Sequence, residues 1–154
     1  MVAAVAVTLV VVLTPHGRQL PPSRAREYRD LDACLLTGPT GIDEQRTAAV
    51  WSGMQDASQA TQARVSYVPV IGPETAANAE PFAQTLIQRH CQVIVAVGDV
   101  GVGTVASVAP KHGDIRFVLV GGGTGGGNVS LVPLAAQQGI RPAVANAVAR
   151  ALRA

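Results

Sequence analysis

The chain has 154 residues and a formal net charge of +2, and apolar residues make up 48% of it. A chain of this length suits one domain and buries enough surface to fold without a metal or disulfide staple. Nucleic-acid binding usually requires basic stripes and stacking aromatic residues. The small charge and an aromatic content of 3% therefore argue against a nucleic-acid partner.

Residues 1–14 open the chain with the apolar run MVAAVAVTLVVVL. About 20 apolar residues are needed to span a bilayer, so this run is closer in length to the apolar region of a signal peptide. We interpret 1–14 as a signal or anchor segment, with a buried strand or helix of the domain as the alternative. Residues 15–32 contain prolines and arginines without apolar periodicity, which predicts a polar linker. Together the two segments predict an extracytoplasmic protein, either secreted or anchored to the membrane.

From residue 33 onward, short apolar runs typical of strands alternate with stretches of helical spacing. The predicted strands span 33–38, 64–72, 91–98, 114–121 and 128–134, and the predicted helices span 41–63, 73–90, 102–113 and 136–154. This alternation is typical of βαβ units around a parallel sheet. We therefore predict an α/β fold for 33–154, with a three-layer, doubly wound, five-stranded parallel sheet in the order 2-1-3-4-5.

Doubly wound sheets bind ligands beyond the carboxyl ends of their strands, at the point where the strand order reverses. In the predicted order this point lies between the first and third strands, so the loops 38–43 and 98–103 are expected to form the ligand site. The candidate ligand-binding residues are Thr37, Thr40, Asp43, Gly98, Asp99 and Thr104. The alternative is structural: Thr40 or Asp43 would cap the first helix, and the glycines would only form the turn.

The segment GGGTGGG at 121–127 raises the question of a phosphate-binding loop. Such a loop needs backbone N–H groups at a helix N-terminus and usually a nearby Lys, Ser or Thr at fixed spacing. Here a strand pattern, NVSLV, follows the glycines, and no lysine is near. The segment therefore predicts a mobile connection between the fourth and fifth strands.

Three stretches carry a resemblance to a known family: CLLTGPTGIDEQRTAAVWSGMQDA, QVIVAVGDVGVGTVASVAPKHGDIRFVLV and GNVSLVPLAAQQGIRPAVANAVARAL. In order and spacing they resemble the basic membrane protein family of bacterial substrate-binding lipoproteins, related to the purine-nucleoside receptors of importers. The resemblance implies a type I periplasmic-binding fold, of which 33–154 would be the N-terminal lobe alone. It also implies an extracytoplasmic, nucleoside-like ligand and a role in transport.

The chain departs from this family at the ligand-binding loops. The first loop of the family typically reads G-G-I-x-D-K-S-F-N, whereas this chain has GIDEQRT. Asp43 corresponds to the acidic residue of that loop, but Arg46 and Thr47 stand where the aromatic residue and the asparagine are expected. The family's aspartate after the fourth strand falls within GGGTGGG, which has no carboxylate. The resemblance therefore implies a degenerate ligand site.

Cys34 and Cys91 are predicted at the starts of the first and third strands, which are neighbours in the proposed order. Their Cα atoms would then lie about 5–6 Å apart, within the range of a disulfide. An extracytoplasmic location permits oxidation, so we predict a Cys34–Cys91 disulfide. Two buried free thiols are one alternative, and lipid attachment at Cys34 within LDAC (31–34) is another.

The sequence shows no catalytic constellation, and the three histidines are isolated from one another. His90 stands beside Cys91, but adjacent residues of a strand point to opposite faces. We expect no enzymatic activity, no cofactor and no metal site. The first functional hypothesis is a small-molecule-binding module whose half-cleft a second copy or a partner lobe would close. The alternative is a non-catalytic interaction protein that kept the fold and homodimerises or docks another protein.

Overall fold

The computed structural model describes residues 26–135 and 139–154. The strands are β1 (Asp32–Thr37), β2 (Arg64–Pro69), β3 (Val93–Val97), β4 (Arg116–Val120) and β5 (Val129–Val132), and the helices are α1 (Gln45–Thr61), α2 (Ala76–Gln88), α3 (Asp99–Val108) and α4 (Ile140–Ala151). A single 3₁₀ turn over Ala109–Lys111 follows α3. The predicted anchor at 1–14 and most of the linker at 15–32 lie outside the described residues.

All five strands pair in parallel, in the order β2-β1-β3-β4-β5. The predicted fold class and strand order are therefore confirmed. The order reverses between β1 and β3, because β1 pairs with β2 on one side and with β3 on the other. Strands β1, β3 and β4 are almost fully buried, which explains why each has a continuous apolar run rather than an alternating pattern.

Two apolar cores cover the two faces of the sheet. Helices α1 and α4 pack on one face, around Leu35, Val95 and Val118 from the central strands. Helices α2 and α3 pack on the other face, around Leu36, Ile94 and Phe117. Trp51 of α1 is half-buried against the first core and meets Tyr67 of β2 edge-on, with ring centroids 5.4 Å apart. It therefore belongs to the packing of the domain.

Several element boundaries differ from the sequence-based prediction. Helix α3 begins at Asp99, directly after Gly98, so the expectation of a loop over 98–103 is wrong. Gly98 (φ +84°) makes the turn alone, and its carbonyl oxygen already accepts the first helical hydrogen bond from the Val102 amide at 2.8 Å. Helix α4 begins at Ile140 rather than 136, and residues 136–138 lie outside the described residues.

The Cys34–Cys91 disulfide predicted from the strand order is present, with a Cα–Cα distance of 6.0 Å. Cys34 lies within β1, whereas Cys91 lies in the connection before β3 rather than at the first residue of the strand. Both residues are buried in the core beneath α2 and α3. The bond therefore ties β1 to the segment that leads from α2 into β3.

The end of the predicted linker belongs to the folded domain. Asp32 is the first residue of β1, and the Arg29 amide donates to the Gln62 carbonyl oxygen at 2.9 Å. The Arg64 guanidinium at the start of β2 contacts Asp32 at 2.7 Å and Asp30 at 2.8 Å. The domain thus begins several residues before 33, because charged contacts that carry no apolar pattern fix this segment.

The ion pair with Arg64 should give the protein an acid-sensitive contribution to its stability. The hydrogen bond from Arg64 is the largest cause that lowers the pKa of Asp32, and it outweighs the opposite effect of burial. A carboxyl group whose pKa is lower in the folded state stabilises above its unfolded pKa and loses that contribution as pH falls through the folded pKa. We expect Asp32→Asn to lower the free energy of unfolding at pH 7 and to have little effect near pH 2.

Urea unfolding of the protein and of Asp32→Asn at both pH values measures this difference. Asp114→Asn is the matched control, because Asp114 is an exposed carboxylate near the start of β4 with no ion pair to another described residue. An Asp32→Asn penalty that is the same at pH 2 and pH 7 would contradict the electrostatic account and indicate a packing effect instead.

The glycine-rich segment connects β4 to β5 and is not followed by a helix, as predicted. Parts of it pack closely on the domain: a Cβ at Gly121 would lie 3.1 Å from the Leu134 side chain, and one at Gly125 would lie 3.2 Å from Leu131. Asn128 then fixes the start of β5, because its side-chain amide donates to the carbonyl oxygens of Ala109, His112 and Ile115 at 2.8–3.0 Å. The lack of a side chain at Gly121 and Gly125 thus lets the segment lie close to Leu134 and Leu131. The mobility of the segment stays a prediction.

Candidate functional site

A cleft of about 270 Å³ opens at the carboxyl ends of β1 and β3, where the strand order reverses. Ten residues from the ends of three neighbouring strands line it: Thr37, Gly38, Pro39, Val70, Glu74, Val97, Gly98, Asp99, Val100 and Gly101. This is the place at which doubly wound sheets bind ligands. Of the predicted site residues, Thr37, Gly98 and Asp99 line the cleft.

The wall from β1 is formed by the turn that follows the strand. Thr37 is buried, and its hydroxyl donates to the Gly38 carbonyl oxygen at 3.0 Å. The Gly41 amide closes the turn onto the Gly38 carbonyl oxygen, also at 3.0 Å, and Gly41 has a φ of +62° that favours glycine. The turn holds Gly38 and Pro39 against the cleft, so this wall offers a backbone surface with little side-chain bulk.

Thr40 and Asp43 lie farther along the same connection and are exposed, outside the lining of the cleft. Neither caps α1: the N-cap position is Glu44, and no side chain caps it by a hydrogen bond. The structural alternative considered for these two residues is therefore wrong, and their contact with a ligand stays a prediction.

The wall from β3 is the first turn of α3. Gly98, Asp99, Val100 and Gly101 all line the cleft, so the N-terminus of α3 and its first amides lie beside the same space as Thr37. Those amides lack helical partners and carry partial positive charge. Asp99 is an acid in the first turn, where this charge favours a carboxylate. The wall thus presents hydrogen-bond donors from the backbone and an acceptor from Asp99.

Thr104 lies elsewhere, because α3 begins three residues earlier than predicted. It is the sixth residue of the helix and is buried, away from the residues that line the cleft. Among the described residues it has the one buried side-chain oxygen without a hydrogen-bond partner. The structure therefore gives Thr104 a position in the helix packing rather than at the mouth of the cleft.

The third wall comes from the β2–α2 connection, which the sequence analysis did not assign to the site. Val70 and Glu74 line the cleft, and the Val70 amide donates to the Thr37 carbonyl oxygen at 3.0 Å. The Asn78 side chain holds the connection by donating to the carbonyl oxygens of Ile71 and Pro73, each at 2.9 Å. This wall could have been predicted from the strand order, because β2 is the direct neighbour of β1 and the segment after β2 therefore lies beside the end of β1.

Acidic side chains dominate the edge of the domain at which the cleft opens. We call this the carboxyl edge; it carries the exposed residues Asp43, Glu44, Glu74 and Asp99 together with Arg46. Arg141 at the start of α4 is exposed as well, but it is paired with Asp56. No basic side chain lines the cleft itself. The cleft therefore combines apolar contact with Val70, Val97 and Val100 and carboxylate acceptors at its rim, a combination suited to a ligand that donates hydrogen bonds.

A second cleft of about 500 Å³ lies at the opposite edge of the sheet, lined by Ile87, Gln88, His90, Cys91, Gln92, His112, Asp114 and Ile115. It brings together two of the histidines noted in the sequence. Within residues 26–135 and 139–154, however, no group of three or more His, Cys, Asp or Glu side chains is placed to hold a metal ion. This cleft also lies away from the switch point, so we do not assign the ligand site to it.

Several solved structures have a fold similar to that of this chain. The chain is similar to a fragment described as a lipoprotein from Peptoclostridium difficile 630, with a TM-score of 0.65 and 13% identity, covering 79% of this chain and 98% of the fragment. ABC transporter solute-binding proteins from Aeropyrum pernix K1 give a TM-score of 0.52 and 18% identity over 64% of this chain and 27% of theirs. A transcriptional activator of the comK gene from Bacillus halodurans gives 0.52 and 17%, over 64% of this chain and 33% of its own.

No protein-family model matches the chain, and no curated protein gives a significant match. In the part of the chain that the structure describes, no helix is both long and apolar enough to cross a membrane. The matches to solved structures are below 25% identity and therefore concern the fold alone. The chain has the α/β fold of the solute-binding proteins, a periplasmic-binding-like fold with a five-stranded parallel sheet.

Proposed function

We propose that the protein is an extracytoplasmic small-molecule-binding module that uses the cleft between the ends of β1, β2 and β3. The observation that carries this proposal is the cleft itself, which opens at the switch point of a solute-binding-like sheet. Its lining supplies apolar contact, backbone donors and the carboxylates of Glu74 and Asp99. We infer no catalytic role; the similar solved structures include solute-binding proteins and a transcriptional activator.

The resemblance to the basic membrane protein family makes a nucleoside-like compound the first ligand to test. Glu74 and Asp99 could accept hydrogen bonds from sugar hydroxyls, and the amides of the first turn of α3 could donate to acceptor groups. The lining contains no aromatic side chain on which a base could stack. We therefore expect weaker binding than a complete receptor of this kind would have.

The described residues 26–135 and 139–154 form one lobe, and within them no second lobe covers the cleft. The chain spans 27% of the length of the solute-binding protein to which it is similar. Small-molecule sites usually bury most of the ligand surface, so useful affinity would require a cover. We propose that a second copy or a separate partner lobe closes the cleft.

Two observations support a location outside the cytoplasm. The Cys34–Cys91 disulfide is a bond that persists in oxidising compartments, and one similar structure is described as a lipoprotein. The apolar segment 1–14 would then be the signal or membrane anchor. It lies outside the described residues, and this role is part of the proposal.

Thermal unfolding with a panel of nucleosides and related metabolites tests the function. A ligand present at 100 times its Kd adds about 2.7 kcal/mol to the free energy of unfolding, which is seen as a rise in Tm. We expect one compound class to raise Tm and Asp99→Asn to reduce that rise at the same ligand concentration. The matched control is Asp114→Asn, which removes an exposed carboxylate from the opposite edge and should leave the rise unchanged.

The alternative is an interaction protein that kept the fold without a ligand. The observation that favours it is that two large apolar side chains beyond the carboxyl ends of the outer strands are exposed: Ile71 after β2 is 68% exposed, and Leu134 after β5 is 43% exposed. If no compound changes Tm and the protein forms a dimer whose dissociation is insensitive to the panel, the alternative is supported over the binding module.

A further inference from the structure

Charged side chains are distributed unevenly between the two ends of the sheet. The edge opposite the cleft, which we call the amino edge, contains the starts of the strands and the ends of the helices. It carries six basic residues beyond Arg64: Arg29, Arg89, Lys111, Arg116, Arg150 and Arg153. All but Arg116 are exposed. The carboxyl edge, by contrast, is acidic.

The acidic residues of the amino edge offset only a small part of this charge. Asp30 and Asp32 are both held by Arg64, so that cluster carries about one net negative charge. Asp114 is a further exposed carboxylate, near the start of β4, and upstream of β1 the exposed Glu27 stands beside the exposed Arg26, which offsets its charge. Helix C-termini contribute roughly half a negative charge each, which explains the position of Arg150 in the last turn of α4 and of Arg89 after α2. The negative partial charges of the helix ends are smaller than the positive charge that the basic residues leave after the carboxylates are subtracted. The amino edge is therefore a positive surface.

We propose that the amino edge docks on an anionic lipid surface, so that the anchored lobe lies on the membrane with its cleft pointing away from it. This inference rests on the proposed anchoring of the chain outside the cytoplasm. The predicted anchor at 1–14 and the linker that joins it to the domain keep the lobe near a bilayer. Basic residues near an anionic bilayer are attracted to it within about a Debye length.

The topology makes this orientation useful to the proposed receptor. In a parallel sheet, the strand starts and the strand ends lie at opposite edges, so docking by the amino edge places the cleft at the far side of the lobe. The acidic carboxyl edge would be repelled by the same lipids. Attraction at one edge and repulsion at the other therefore favour a single orientation, with the open half-cleft accessible to a ligand or to a covering partner.

Lys111 is the only lysine in the chain and lies exposed at the amino edge, which makes it a natural reporter. The full chain is incorporated into vesicles of phosphatidylcholine, with or without a minor fraction of phosphatidylglycerol. The rate at which a water-soluble acetylating reagent modifies Lys111 is then followed by mass spectrometry. We expect slower acetylation in the vesicles with phosphatidylglycerol at low salt, and equal rates in the two vesicle types at high sodium chloride.

Charge reversal at each edge provides the matched pair of variants. Arg89→Glu at the amino edge should reduce the protection of Lys111 by about fivefold or more, the factor that corresponds to about 1 kcal/mol per basic residue near an anionic surface. Arg46→Glu makes the same charge change at the carboxyl edge and should leave the protection unaltered. Both arginines are exposed, and circular dichroism checks that each variant is folded.

Equal acetylation rates in both vesicle types at low salt would overturn the docking proposal, as would an Arg46→Glu effect as large as that of Arg89→Glu. Failure to associate with either vesicle type would overturn both the docking and the proposed anchor. Ligand-induced stabilisation is measured separately, so a protein that binds its ligand but leaves Lys111 equally reactive would retain the proposed function and lose only this inference.

Discussion

Replacing Cys34 and Cys91 together by alanine is expected to lower the free energy of unfolding by about 4 kcal/mol, on the chain-entropy account of a cross-link that closes a long loop. The two cysteines are 57 residues apart in sequence. The closed loop contains β1, α1, β2 and α2, so the bond restricts a large part of the unfolded chain. Since 1 kcal/mol shifts Tm by a few degrees in a domain of this size, Tm should fall by roughly 10–20 °C.

Urea unfolding of the double variant and of the unmodified protein measures the effect. Both sulfur atoms are buried, so a reductant should act slowly on the folded protein and rapidly once urea is present. A thiol titration of the denatured, unreduced protein should find no free thiol. Two free thiols would contradict the disulfide, and an unchanged midpoint in the double variant would contradict its contribution to stability.

The second large effect is expected at Gly53, where α1 crosses α4. A Cβ on this residue would overlap the Arg141 carbonyl oxygen and would lie 3.0 Å from the Val144 Cβ. The two helices can approach this closely only because Gly53 has no side chain. Overpacking of a tight contact costs about 1–3 kcal/mol, which exceeds the roughly 1 kcal/mol that alanine gains over glycine in helix propensity. We expect Gly53→Ala to destabilise the protein and Gly53→Val to destabilise it further.

Gly103 is the matched control, because it lies within α3, is exposed, and has no atom within 4 Å of an added Cβ. Gly103→Ala should therefore stabilise the protein by up to about 1 kcal/mol through helix propensity alone. Opposite signs for the two glycine-to-alanine changes, measured by urea unfolding, would support close packing of α1 on α4. If Gly53→Ala is as stabilising as Gly103→Ala, the close helix contact is incorrect.

The strand order and layer arrangement could be predicted from the sequence because they depend on features with strong local patterns. The continuous apolar runs of β3 and β4 indicate strands buried on both faces, and the helical stretches between strands require right-handed crossovers in a parallel sheet. The disulfide followed from that order, since Cys34 in β1 and Cys91 just before β3 come close together only when β1 pairs with β3.

Boundaries at glycines were harder to predict. The segment GDVGVGT contains three glycines and has the composition of a loop, yet all of it except Gly98 is helical in the structure. Glycine disfavours a helix by only about 1 kcal/mol, and burial of Val102 and Val105 on the sheet provides more than that. Because the start of α3 was predicted too late, Thr104 was expected at the mouth of the site, whereas in the structure it lies on the buried face of α3.

Only part of the candidate site could be predicted from the sequence, because the rest depends on a tertiary contact. Thr37, Gly98 and Asp99 follow directly from the switch-point rule, because they stand at the ends of the two strands that flank it. Val70 and Glu74 come from the connection after β2, whose approach to Thr37 depends on a tertiary hydrogen bond between Val70 and Thr37. Such a contact has no pattern in the local sequence, although the predicted order had already placed β2 beside β1.

Mapping of ligand-induced changes in backbone amide NMR shifts is the most direct test of a ligand site at the carboxyl ends of β1 and β3. The protein is titrated with the compound class that raises Tm, or with each nucleoside of the panel if none does. We expect shift changes concentrated at Gly38, Val70 and Gly98–Gly101, and we expect them to be lost in Asp99→Asn but not in Asp114→Asn. Changes confined to the second cleft around His90 and His112, or no saturable changes at any amide, would contradict a ligand site at the carboxyl ends of β1 and β3.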